Sequence, residues 1–236
     1  MKEPKSPFLS VGEEKSIMYK YILFIAMMLL SAVPTLSDTN IGLYAGNNSA
    51  NLSGDSPSRW RYMSKNGLTG GLLLEQKIAT DVWLCASPGF SVKGTKIGVD
   101  IPGERDPKDS LSVNINYVSL PLLVKIVTKY PNVFVSAGFD FSWRQNAFYK
   151  QIENSGDKVD ISDGFDDVNI SALFGVGFLF SVGRPLLQIE LRYMQGLLNI
   201  STFEAMNPEE QLPPQFKTKG MQVSVGLVYP LSRRND

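Results

Sequence analysis

Apolar and polar residues alternate along most of the chain from Asn40 to Tyr229. A period of two belongs to a strand with one face in an apolar setting, whereas a helix would space its apolar positions three and four apart. The pattern therefore specifies an all-β fold. Eight segments carry it. The first opens at 40–46. The second, 68–78, sets Leu72, Leu74 and Ile78 against Thr69, Gly71, Glu75 and Lys77. The third, 81–93, keeps Val82, Leu84, Ala86, Phe90 and Val92 in phase. The fourth sets Leu111, Val113, Ile115 and Tyr117 against Ser112, Asn114 and Asn116. A phase slip is expected there at Pro121, because proline inside a strand marks a bulge or an edge; Leu122, Val124 and Ile126 then share the apolar face. The remaining four segments are 133–144, 168–181, 187–193 and 221–229. The fifth and sixth are rich in phenylalanine on the apolar side.

The connections alternate in length. Those at 79–80, 128–132 and 182–185 are short, and those at 47–67, 94–110, 146–166 and 199–216 are long. Short turns on one rim and long loops on the other are the pattern of an outer-membrane barrel. Several segments reach the roughly 9–11 residues that a tilted membrane strand needs. The face opposite the apolar one is mostly Gly, Ser, Asn and Gln with charges of both signs. Such a face suits the crowded interior of a small barrel. The expected fold is an eight-stranded antiparallel up-and-down transmembrane β-barrel over 38–231, with short periplasmic turns and long outer loops. A secreted, lipocalin-like barrel with the faces reversed, carrying an apolar ligand, is the alternative.

Residues 21–33 form an apolar run, YILFIAMMLLSAV, preceded by Lys15 and Lys20 and followed by small residues. A run of this length is shorter than a bilayer-spanning helix, and its flanks are those of a secretory signal peptide. Residues 1–37 are expected to be a signal with an N-terminal extension ahead of Met18, cleaved after Ser37; a short membrane anchor is the competing reading. Residues 232–236 make a polar tail.

Chemistry is bounded by absences. The sequence has no histidine, which excludes Ser-His-Asp and Cys-His catalysis and histidine-ligated zinc. Cys85 is the single cysteine, so no internal disulfide forms, and packing is its expected role. Basic and acidic residues balance at 23 each, unlike the basic excess of a nucleic-acid binder. No enzyme activity, metal or cofactor is expected. Glu75, Asp140 and Glu190 are expected inside the barrel as a structural polar network, with Lys77, Arg144 and Arg192 as partners, since buried charges must be paired. An acid–base role for the carboxylates is the sharper but less favoured reading. Arg59, Trp60, Arg61 and Tyr62 are candidates for binding lipopolysaccharide phosphates or a glycan at the surface. Asp157, Asp160, Asp163, Asp166 and Asp167 crowd one long connection without the spacing of a calcium loop, so a solvated acidic loop is expected.

The segment Asn114-Ile115-Asn116-Tyr117-Val118-Ser119-Leu120-Pro121-Leu122-Leu123-Val124-Lys125 resembles the N-Y-x-x-x-P-L-L-x-K stretch of the PorT-like outer membrane β-barrel family. Ile41-Gly42-Leu43-Tyr44-Ala45-Gly46, Gly175-Val176-Gly177-Phe178, the run from Ile189 to Ile200 and Gln222-Val223-Ser224-Val225-Gly226-Leu227 are similar in the same order. The resemblance implies an eight-stranded porin-like barrel in the outer membrane of a Gram-negative bacterium. It implies outer membrane lipid and lipopolysaccharide as surroundings. A subset of the family is tied to protein secretion, so secretion or envelope proteins are the implied partners, and nucleic acid is not.

Overall fold

The computed structural model describes residues 38–54, 60–99, 108–128, 132–151, 158–201 and 216–231. The expected signal segment and the polar tail lie outside them. Ten strands follow in order: β1 (Thr39–Gly54), β2 (Trp60–Ala79), β3 (Val82–Ala86), β4 (Gly89–Val99), β5 (Lys108–Val127), β6 (Val133–Gln151), β7 (Val159–Asp160), β8 (Val168–Ser181), β9 (Leu186–Gly196) and β10 (Phe216–Pro230). Their pairings are antiparallel and run β1–β2–β4–β5–β6–β8–β9–β10, after which β10 pairs back onto β1. Eight of the ten strands thus close a ring.

The other two strands correct the expected count of eight. β3 pairs with the same neighbours as β4, β2 on one side and β5 on the other. The pairs Ala86↔Leu122 and Gly89↔Ser119 keep one register, so the expected third strand is divided only at Ser87-Pro88. Proline has no N–H to give to the ladder. The hydrogen bonds continue around it: Leu72 N donates to Pro88 O and Ser87 N to Pro121 O, each at 2.9 Å. The two-residue β7 is an appendage of β6.

The long connections are also corrected. β1 continues to Gly54 and β2 begins at Trp60; β4 extends to Val99 and β5 begins at Lys108. Much of the expected loop length is strand, disguised because Asn, Ser, Gly and Lys dominate there. Nor does β5 slip at Pro121. Val113, Ile115, Tyr117, Ser119, Pro121, Leu123 and Lys125 are all buried, while Val118, Val124 and Ile126 are exposed on the opposite face. The irregularity sits on β6, where Asn116↔Asn146 and Tyr117↔Arg144 leave Gln145 without an opposite residue. Parity is constant along β5; what changes is its surroundings.

Every stave of the ring turns large apolar side chains outward. Examples are Ile41 and Leu43 on β1, Leu72 and Leu74 on β2, Leu84 on β3, Phe90 on β4, Val118 on β5, Phe139 on β6, Phe174 on β8, Leu191 on β9 and Leu227 on β10. A continuous exposed apolar belt is incompatible with a water-facing exterior, so the lipocalin-like alternative, which needs these faces inward, is not favoured. The interior holds Asn40, Tyr44, Thr69, Glu75, Ser91 and Gln222 at belt level. Towards the long-connection end the interior becomes apolar instead: Leu52, Ile97, Val113, Ile115, Tyr117, Ala147, Phe165, Ile200 and Phe216 pack into one cluster.

Two inward glycines make room for interior groups. A methyl group at Gly175 would lie 2.3 Å from Ser136 Oγ and 2.6 Å from Glu190 Oε1, and one at Gly177 would strike the Phe134 ring at 2.3 Å. Gly183 serves differently: its φ of +71° turns the chain between β8 and β9. Overpacking a tight interior costs about 1–3 kcal/mol. Gly175→Val should therefore lower the urea midpoint of the folded protein in detergent micelles, whereas Val176→Leu on the outward face should leave it within error.

Candidate functional site

The interior charges form two layers. In the first, Lys125 of β5 donates to Glu75 of β2, and Asn40 Nδ2 donates to the other carboxylate oxygen at 3.2 Å. Lys125 also reaches Gln188 Oε1 at 3.3 Å, whose amide donates to Glu190 Oε2 at 3.3 Å. Arg192 grips Glu190 with both arms of its fork, Nε to Oε1 at 3.0 Å and Nη2 to Oε2 at 2.7 Å, and Ser136 Oγ adds a bond of 2.7 Å. In the second layer Lys93 of β4 donates to Asp140 Oδ2 of β6 at 2.8 Å, backed by Ser142 and Ser119. All these charged groups are buried. Each lysine also lies over a ring face, Lys93 over Tyr117 at 5.2 Å and Lys125 over Phe134 at 5.1 Å, where the ring quadrupole attracts a cation. Three carboxylates meet three cations, so the layers are neutral. Between them a cavity of about 10 Å³ is lined by Tyr44, Thr69, Asp140, Arg192 and Gln222.

The structure brings together Glu75, Asp140, Glu190 and Arg192 of the expected network but not Lys77 or Arg144. Lys77 lies close to the end of β2, half-buried, 3.5 Å from Asp38. Arg144 lies beyond Asp140 towards the opposite end, bonded to Asp167 Oδ1 at 2.5 Å and to Asp166 O at 3.3 Å. Distance along the strand separates it from Asp140: four residues are ~13 Å. Lys93 and Lys125 replace them. The signal for Lys125 was parity, since it lies between the outward Val124 and Ile126; Lys93, between Val92 and the buried Gly94, carries no such mark.

At the long-connection end, Tyr62 stacks edge-on against Phe216 with ring centres 5.6 Å apart, attached to the interior apolar cluster. It is half-buried and also lines a cleft of about 530 Å³ with Ser49, Asn51, Tyr193 and Lys219. Its apolar ring is drawn inward because the interior is apolar at this level. Arg59 and the side chains of Trp60 and Arg61 lie outside the described residues. The acidic stretch is dispersed: Asp160 accepts from Ser162 N at 2.8 Å, which with the Ser162 side chain holds its carboxyl below the usual range, and Asp167 takes Arg144. Among the described residues no three acidic side chains converge as a metal site would require; Asp157 is outside them. Cys85 packs with Leu123, Leu173 and Met194.

Removing one partner of a buried ion pair leaves an uncompensated charge, at a cost of about 3–5 kcal/mol. Lys125→Met should therefore destabilise the folded protein by that order in micelle unfolding, and Glu75→Gln in the same chain should restore most of the loss. A double variant no more stable than Lys125→Met would show that the pair is not the cause.

The sequence matches the model of the "Outer membrane protein beta-barrel domain" family over residues 31–202. No curated protein matches it. Among solved structures it is similar to the outer membrane protein OprG from Pseudomonas aeruginosa, at 12% identity and a TM-score of 0.46, covering 84% of this chain and 97% of that one. It is similar to Neisserial surface protein A at 13% identity and a TM-score of 0.46, covering 80% and 96%. It is also similar to the attachment invasion locus protein Ail of Yersinia pestis, in complex with the heparin analogue sucrose octasulfate, at 12% identity and a TM-score of 0.40, covering 82% and 99%. The match is to the general domain and does not distinguish the narrower PorT-like group. With more than half of its length matched, the chain belongs to the outer membrane β-barrel domain family and is a protein of the Gram-negative outer membrane.

Proposed function

We propose that the protein is an up-and-down transmembrane barrel built on the eight-strand ring, which anchors itself in the outer membrane and presents its long-connection end outside as a non-catalytic surface-interaction or secretion-accessory element. The observation that carries this reading is the filled interior: paired charges at the level of the apolar belt and an apolar cluster above them. An interior packed with side chains leaves no room for bulk solute. The belt has the right height. On β10 its outward apolar residues run from Met221 to Tyr229, ~27 Å of strand, or ~21 Å at a tilt of about 40°, close to the ~25 Å band of such barrels.

In this arrangement residues 1–37 are the export signal and the turns at 79–82 and 182–185 face the periplasm. Outer membrane lipid and lipopolysaccharide surround the belt, and envelope or secretion proteins are the partners of the outer end. A carboxylate acid–base site is disfavoured because each interior carboxylate is bound to a cation.

Two measurements test the proposal. Reconstituted protein in planar bilayers should show no stable conductance comparable with a general porin; open, long-lived channels would defeat the closed-interior reading. Trypsin added to intact cells should cut at Lys158, exposed between β6 and β7, and leave Arg184 uncut. The reverse pattern would invert the orientation.

A further inference from the structure

Just beyond the belt, lysines gather on one outer wall. Lys96, Ser112 and Lys150 stand in one row across β4, β5 and β6, as the pairs Lys96↔Ser112 and Ser112↔Lys150. Adjacent strands are ~4.8 Å apart, so Ser112 is flanked by two ammonium-bearing residues. A third arrives from β2: Lys65 Nζ donates to Ser112 Oγ and Asn114 Oδ1, both at 2.6 Å, and to Val113 O at 3.4 Å. All three of its acceptors are neutral. Lys158 lies over the ring of Phe148, which pairs with Asn114, at 4.7 Å. The acidic residue opposite Phe148 is Asp160, already engaged by Ser162.

Like charges opposite one another across a sheet are destabilising. The Lys65 ammonium, bonded here to a hydroxyl, an amide and a carbonyl, has donors directed at neutral groups where a phosphate oxygen would complete the arrangement. The level of the cluster says which anion. Val118 is an exposed apolar residue of the belt, and Asn114 lies four residues beyond it, ~13 Å along the strand and ~10 Å in height at a tilt of about 40°. With the belt in hydrocarbon this is the polar headgroup layer. Lysine stems reach along apolar surface and place their charge at that interface.

We propose that Lys65, Lys96 and Lys150, with Ser112 and Asn114, form a binding site on the outer wall of β2, β4, β5 and β6 for the phosphate groups of an outer-leaflet lipid headgroup. The site rests on the membrane orientation proposed above. Lys65, Ser112 and Asn114 supply its hydrogen-bonded centre, and Lys96 and Lys150 supply flanking charge to a headgroup carrying more than one phosphate.

The test uses the full chain refolded in neutral detergent, first checked for heat-modifiable gel mobility. Binding of fluorescent bis-phosphorylated lipid A in mixed micelles is then compared with its dephosphorylated form. The phosphorylated lipid should bind at least tenfold more tightly. Lys65→Gln with Lys96→Gln and Lys150→Gln should remove that preference, Lys150→Gln alone should weaken it about threefold without affecting folding, and Lys217→Gln with Lys219→Gln on β10 should leave it unchanged. Equal binding of the two lipids, an undiminished preference in Lys150→Gln and the folded triple variant, or competition by inorganic phosphate or a sulfated saccharide as effective as the lipid would overturn the site while leaving the barrel intact. Absence of a heat-modifiable form in the unaltered protein would overturn the membrane reading and the site with it.

Discussion

A chain that crosses hydrocarbon must satisfy every backbone N–H and C=O from within itself, because lipid supplies no partner. In this protein that demand is met by the seam between the first and last strands. β1 and β10 pair without a break from Asn40↔Pro230 to Gly54↔Phe216, turning an open sheet with two exposed edges into a ring with none. The other pairings of the ring join strands close in chain order, with at most β3 or β7 passed over; this one brings together strands at opposite ends of the domain. The outward belt, the interior layers and the outer cluster all presuppose it, since an open sheet has no interior in which to bury Glu75 or Asp140.

The strands that meet at the seam serve two solvents. At belt level their outward residues are apolar and their inward ones polar; beyond it the assignment reverses, with Asn114 and Asn116 outward and Val113, Ile115 and Tyr117 buried. The same staves are thus a membrane barrel at one end and a small soluble barrel with an apolar core at the other. This explains strands of 20 residues for β2 and β5, when crossing a bilayer takes about half of that. Inside that extension the apolar cluster fills the ring.

That reversal limits what could be read from sequence. Strand identity and facing were legible wherever one face met lipid: the alternation at Phe174, Val176 and Phe178, or at Val223, Val225 and Leu227, is unambiguous because its outward residues are large and apolar. In β5 the apolar residues above Val118 obey the opposite facing, so an apolar pattern crossing the boundary looks like a slip when it is a change of surroundings. The interior cations show a second limit. Glu75 is 50 residues from Lys125, and Asp140 is 47 from Lys93. Neither pair joins adjacent staves of the ring; their meeting depends on curvature across the interior, which no single strand encodes. Nearby residues of suitable charge, Lys77 and Arg144, are the obvious partners by sequence, and geometry assigns both elsewhere.

The same geometry explains why the interior is charged when ion pairs buried this way contribute little net stability. A one-residue slip between strands exchanges the faces of all their side chains. In a barrel apolar on both sides, such a slip would cost little, since hydrocarbon and interior would accept the same residues. With Glu75, Lys93, Lys125, Asp140, Glu190 and Arg192 inside, the slip would turn charges into lipid and separate Glu75 from Lys125 and Asp140 from Lys93, while Glu190 and Arg192, two residues apart on β9, would move together. The pairs span β2 to β5 and β4 to β6, so they couple the registers of strands that are not themselves hydrogen-bonded to one another. Their net worth to the folded state is therefore smaller than their worth in discriminating it from its slipped neighbours. The glycines at Gly175 and Gly177 belong to the same device, because the carboxylate of Glu190 and the ring of Phe134 occupy the space that side chains there would need.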